Sequence, residues 1–192
     1  MLRCAARSLV CSLVIVTAVA ASSAPALGAQ GYGGAAGVAL PLSPTAQPGV
    51  ALALSATLTG LEETAPGILL LRGEVLGLIT AGAKAIMPTL TGEVGVSAGP
   101  LDLFLSGGVQ IFGVNWRGDW TFFNTFGLLG GGGLRLRITD TLQLEARGGV
   151  TWLPEFAAAK LREPVTGDIP TLLWFQGLLG VVYTPAWSAP SL

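Results

Sequence analysis

Eight charged residues sit among apolar neighbours at alternating positions. They are Arg72 and Glu74 in "LLLRGEVLG", Glu93 in "TGEVGV", Asp102 in "LDLFLS", and Arg135, Arg137, Glu145 and Arg147 in "LRLRITDTLQLEARGGV". The chemistry open to such a set is ion pairing. Catalysis is narrowed by what is missing: the chain has no His, which excludes a Ser-His-acid arrangement. Both cysteines, Cys4 and Cys11, fall in an N-terminal segment of leader character, so no disulfide, zinc site or thiol nucleophile is expected in the remainder. The run "GLLGGGG" lacks the lysine and the strand-then-helix setting of a phosphate loop, and Gly130 to Gly133 read as close strand packing or a bend in a wall. No enzyme activity, cofactor or metal is expected.

The elements that must position these charges are strands. Counted at spacing two, the chain gives eight: about Gly33 to Leu42, Val50 to Thr59, Ile68 to Leu78, Leu90 to Ala98, Leu101 to Phe112, Phe122 to Ile138, Leu142 to Trp152 and Thr171 to Tyr183. The connections are turn formers: "SPTAQPG", "GLEETAPG", "AGAKAIMP", "GP", "VNWRGDW", "TDT" and "LPEFAAAKLREPVTGDIP". One face of these strands carries large branched residues such as Leu69, Leu71 and Val75, or Leu103, Leu105 and Val109. The other carries small or polar ones such as Ala51, Ala53, Thr91 and Gln110, together with the eight charges.

That opposition sets the facing. Eight strands enclose a narrow interior, which small and polar side chains fill, so the large apolar face is expected to look outward into lipid. Loop lengths agree, since the fourth and sixth connections are the shortest and the seventh is the longest. Trp116, Trp120, Trp152 and Trp174 then fall towards one end, and Tyr183 and Trp187 towards the other, as aromatic belts do at membrane interfaces. With Thr139, Asp140 and Thr141 as the turn, Arg135 is expected opposite Glu145 and Arg137 opposite Gln143. The inward charges balance, four arginines against four acids. This predicts a bore plugged by paired charges rather than an ion-selective ring. Leu129, Phe104, Phe112, Phe123, Phe175 and Leu173 are expected on the inward face of the outer half, as an apolar plug or pocket.

Composition fits a protein covered in part by lipid. Hydrophobic residues make up 51% and charged residues 11%, there are 28 Gly, and mean hydropathy is +0.67, whereas ordinary soluble domains are about one quarter charged. The first 29 residues read as a secretory signal, with Arg3 and Arg7 before the apolar run Leu9 to Ala21 and small residues at Ala26 to Ala29. Residues 30–192 read as one barrel domain. No remaining stretch supplies the roughly 20 consecutive apolar residues of a spanning helix. The net charge is −1, and −3 without Arg3 and Arg7, which does not favour nucleic acid.

The signal, the alternating strands, the turn "RLRITDTLQLEARGGV" and the aromatic belts together resemble the small eight-stranded outer-membrane barrels of the OmpA and OmpX type of diderm bacteria. The resemblance covers nearly all of the mature chain. It implies an all-β, antiparallel, up-and-down transmembrane barrel in the bacterial outer membrane, with membrane lipid and the barrel assembly machinery as partners. Such barrels commonly end on an aromatic residue, whereas this chain ends "VVYTPAWSAPSL". Lipid A deacylases and palmitoyl transferases among such barrels use a histidine near a serine, and this chain has none. In the loops, Arg117, Gly118 and Asp119 resemble the adhesive tripeptide read by integrins, and "PEFAAAKLREPVTGD" suits a short helix over the mouth with Glu155, Lys160, Arg162 and Glu163 facing solvent. Two alternatives to a structural, loop-presenting barrel stand beside it. One is a barrel that binds or transports a small hydrophobic molecule or forms a narrow pore. The other is a secreted soluble barrel or sandwich. Replacing Arg135 with Ala is expected to lower stability by about 1–3 kcal/mol. Sensitivity no greater than that of an Arg162 variant, by thermal unfolding, would refute the inward assignment.

Overall fold

The computed structural model describes residues 29–41, 48–58, 67–80, 83–116, 119–121, 125–159 and 173–185. The expected leader up to residue 28, Phe123, Lys160, Arg162, Glu163 and Trp187 lie outside them. Ten strands follow in chain order: β1 (Ala29–Pro41), β2 (Gly49–Leu58), β3 (Gly67–Ile79), β4 (Ala83–Ala98), β5 (Leu101–Ile111), β6 (Gly113–Trp116), β7 (Asp119–Thr121), β8 (Phe126–Arg137), β9 (Leu142–Trp152) and β10 (Leu173–Tyr183). A one-turn helix, α1 (Glu155–Ala158), follows β9. All pairings are antiparallel, and β10 returns to β1, which closes an eight-stranded barrel of β1–β5 and β8–β10. The short strands β6 and β7 extend the β5–β8 hairpin beyond the wall, where β6 pairs with the first residues of β4.

The register fixes the shape. A path from Gly31 across Thr57, Arg72, Thr91, Gly108, Leu129, Thr151 and Trp174 returns to β1 at Pro41, a stagger of ten residues. With a rise of about 3.3 Å and a strand spacing of about 4.8 Å, that stagger tilts the strands by about 40°, within the usual range for barrels. One end has tight turns: "GP", where Gly99 takes φ +64, and Thr139–Thr141, where the Thr139 hydroxyl accepts from the Leu142 N–H at 3.0 Å. The β1 start and the β10 finish are also at this turn end. The opposite, loop end carries β6–β7 and α1.

The facing is apolar outward. Leu69, Leu71, Val75, Leu90, Val94, Leu103, Leu105, Val109, Leu134, Leu136, Leu144 and Val150 are all exposed on the wall. Their alternating partners Ala51, Ala53, Arg72, Glu74, Thr91, Glu93 and Gln110 are buried. A soluble barrel or sandwich needs the reverse arrangement, so that alternative is overturned. Tyr183 pairs with Leu142 on β9, and Trp152 ends the same strand. At this tilt the two exposed residues stand about 22 Å apart along the axis, close to the height of a transmembrane barrel's apolar band.

Three strand expectations change. The stretch "AKAIMP" is the start of β4 and not a turn, so the third connection is only residues 80–82. Pro88, which suggested a break, is tolerated because the strand beside it breaks too: β4 pairs with β5 from Thr89 and with β6 up to Ile86, leaving a gap at Phe112. The third connection is therefore short although it lies at the loop end, and loop length alone does not separate the two ends. The expected connection "VNWRGDW" holds β6 and β7, and the strand expected over Phe122 to Ile138 is, among the described residues, β8 from Phe126 to Arg137. In the wall, Gly131, Gly132 and Gly133 are needed for close approach: a Cβ on each would lie 2.3, 2.6 and 2.4 Å from the carbonyl oxygens of Gly148, Phe104 and Ala146.

Candidate functional site

Among the described residues, functional groups converge in the interior. Inward positions of β3, β4, β8 and β9 carry Arg72, Glu74, Glu93, Arg135, Glu145 and Arg147, and strand alternation alone brings them to one side of the wall. Glu145 is the hub. Arg72 donates to both of its oxygens, with Nη1 at 2.7 Å from Oε1. Arg135 Nε donates to Oε2 at 2.7 Å, and Arg147 Nε lies 3.2 Å from Oε1. Glu93 takes a second guanidinium nitrogen of Arg135 and lies 2.9 Å from Arg72 Nε. Arg147 also donates to Glu74. Three cations meet three anions, so the group is neutral.

Several of these contacts cross the bore. Arg72 and Glu74 stand on β3, whereas their partners Glu145 and Arg147 stand on β9, on the far side of the closed sheet. A contact between adjacent strands leaves a lumen open, and one between opposed strands fills it. Phe104 packs against the cluster, with its ring centroid 4.1 Å from the Arg135 guanidinium carbon. Burial matches this picture: Arg72 and Glu93 are each 1% exposed and Glu145 5%.

Two members of the expected network are placed elsewhere. Asp102, although opposite Arg135 in register, accepts instead from the Ser97 hydroxyl at 2.7 Å. Arg137 sits opposite Gln143 as expected, but it is exposed at the turn end, because its position is only two residues from the turn.

Towards the loop end the interior changes. Thr89, Gln110 and Thr151 form a polar belt, with Gln110 Nε2 donating to Thr89 and Thr151 donating to Gln110 Oε1, both at 3.1 Å. Beyond it lies an apolar layer of Leu76, Leu78, Met87, Phe112, Leu153 and Ala157, with Trp174 packed against it. Leu76 and Leu78 are not among the expected inward residues, yet they share the strand phase of Arg72 and Glu74. Between charges and belt, Thr91, Glu93, Ser106, Arg147, Gln176 and Leu178 help line a cavity with room for about one water.

The aromatic expectations divide. Trp152 and Tyr183 are exposed on the outer wall at opposite ends. Trp116 and Trp120 belong to the β6–β7 hairpin beyond the wall. Trp174 does not join a lipid-facing belt. It shares a face with Gln176 and Leu178 and points into the bore. Its neighbours Leu173 and Phe175 correspondingly face outward, 39% and 37% exposed, and not inward as expected. Leu129 and Phe112 are inward towards the loop end. Phe104 is inward too, but it lies near the turn end. The adhesive-like tripeptide has only Asp119 among the described residues, opposite Trp116 in β7. Among the described residues no group of three or more acidic, His or Cys side chains is placed to hold a metal.

No protein-family profile matches the chain, and no curated protein shows detectable similarity to it. Solved structures do. Neisserial surface protein A (NspA) is similar over 82% of this chain and 97% of its own, with a TM-score of 0.63 and 13% identity. The N-terminal β-barrel domain of Pseudomonas aeruginosa OprF is similar over 81% and 97%, with a TM-score of 0.52 and 14% identity. The chain has the fold of these eight-stranded outer-membrane barrels.

Proposed function

From that fold, we propose that the protein is a non-enzymatic barrel of the bacterial outer membrane, closed to ions by its own interior and presenting its loop end outside the cell. The observation that carries this reading is the set of ion pairs spanning the bore between β3 and β9, with the apolar layer stacked above them. A neutral cluster of this kind offers no single sign of charge to select an ion, and a bore of eight strands is narrow enough for side chains to fill. The separation of Tyr183 and Trp152, about 22 Å along the axis, supports a membrane setting. The similar neisserial chain is named a surface protein, which accords with loop presentation. In this reading the N-terminal segment directs export, membrane lipid surrounds the wall, and the assembly machinery inserts the barrel with the turn end in the periplasm.

Planar bilayers provide the test. The purified barrel is expected to give no steady conductance steps. Regular single-channel steps from the wild type would overturn the occluded bore. A second reading, uptake of a small hydrophobic molecule, is favoured by one observation: the loop-end half of the interior is apolar where a plain plug could be polar throughout.

A further inference from the structure

The apolar layer is completed from outside the sheet. Leu153 and Ala157, at 1% and 0% exposure, close it from the segment that follows β9. Ala157 belongs to α1, a single turn that has no side-chain cap. Helix nucleation is unfavourable at that length, so contacts hold α1 in place and not its own hydrogen bonds. It is held on two sides. Ala157 enters the bore, while Phe156, 63% exposed, meets Phe126 on the outer wall edge-to-face at 6.1 Å between ring centroids.

The wall is notched where α1 straddles it. β9 ends with Trp152 opposite Leu128, whereas β8 runs two residues further to Phe126, which pairs on its other side with Ile111. On the β9 side no described strand pairs with Phe126 and Gly127. The rim of this notch is Phe126, Leu128 and Trp152, all exposed on the lipid-facing wall. What stands against it in a membrane is hydrocarbon.

We propose that the notch admits one unbranched acyl chain of an amphiphile from the adjoining leaflet, which displaces α1 and lies against Leu76, Met87, Phe112 and Trp174. This rests on the second reading of the bore, and it is compatible with an absence of conductance. The apolar layer offers the inserted chain no charged partner. The belt of Thr89, Gln110 and Thr151 satisfies its own hydrogen bonds and sets the floor, so only a chain without polar atoms fits to that depth. The headgroup stays at the interface beside Trp152. Because the chain takes the place of Leu153 and Ala157, the site is filled by protein when ligand is absent.

The test uses the full chain in diacyl phosphatidylcholine vesicles, with stearic acid spin-labelled near its carboxyl end, so that the label stays at the interface beside Trp152 and the inserted end carries no polar atom, and is read by electron paramagnetic resonance. An immobilised fraction is expected that saturates near one label per barrel and is displaced by unlabelled stearic acid. Phe156→Ala loosens α1, raises the fraction of barrels open to ligand, and is expected to tighten apparent binding by about threefold or more. Met87→Trp fills the layer and is expected to abolish the saturable fraction. Immobilisation that never saturates and is equal in wild type and Phe156→Ala would overturn the site, whatever the fate of the Met87 variant. Conductance is recorded on the same preparation. Steady steps would refute the occluded bore alone, and loss of saturable binding would refute the acyl-chain site alone.

Discussion

Glu145→Gln is expected to lower the unfolding free energy by about 3–5 kcal/mol, more than Arg135→Ala. The carboxylate contacts three guanidinium groups, from Arg72, Arg135 and Arg147. Neutralising it leaves those three with only Glu74 and Glu93, an uncompensated positive charge inside the bore. Arg135→Ala is milder because Arg72 still reaches both Glu93 and Glu145. Urea unfolding in lipid vesicles, followed by tryptophan fluorescence, measures both. Adding Arg135→Met to Glu145→Gln restores charge balance and is expected to recover part of the loss. If Glu145→Gln costs no more than a substitution at exposed Arg137, the cluster is not the buried hub described.

The second large effect belongs to the opposite face of the wall. Leu105 is 68% exposed and lies near the middle of β5. Leu105→Arg is expected to destabilise the barrel in a bilayer by about 2–4 kcal/mol, and Ile138→Arg, beside the turn, by about 0–1 kcal/mol. The contrast in depth is the informative quantity, because a charge on a water-covered surface costs little at either position. Equal and small losses in the same unfolding measurement would mean that the wall at Leu105 does not face hydrocarbon.

Strand phase was legible wherever a polar residue marked it. Arg72 and Glu74 settled β3, and the same phase placed Leu76 and Leu78 inside even though they are not among the expected inward residues. The Thr139–Thr141 turn was enough to oppose Arg135 and Glu145, because a hairpin register follows from its turn. In "TLLWFQG" both phases are apolar. Gln176 alone marks the inward face there, and reading the run without it turned Trp174 outward and Phe175 inward. The contacts of Arg72 with Glu145 and of Arg147 with Glu74 were out of reach for another reason. They depend on the bore diameter and on the ten-residue stagger, which exist only once the sheet has closed. Pro88 misled because its tolerance depends on a gap in a different strand.

The seam between β1 and β10 has a consequence for how the molecule is made. It pairs Tyr32 with Tyr183 and continues to Pro41 with Trp174, so the earliest strand is completed by the last one synthesised. Contacts of such sequence separation are slow to form, and until they form both strands are bare edges prone to pair with another chain. The six clustered charges all come from β3, β4, β8 and β9, none from the strands of the seam. On β1 the inward positions near the seam are Gly33, Ala35, Gly37 and Ala39. From Gly33 to Ala39 the β1 side of the seam therefore carries no long inward side chain that must thread past its partners. A half-built sheet can gather its arginines and glutamates first and be zipped shut afterwards along an edge whose β1 side is nearly smooth on the inside.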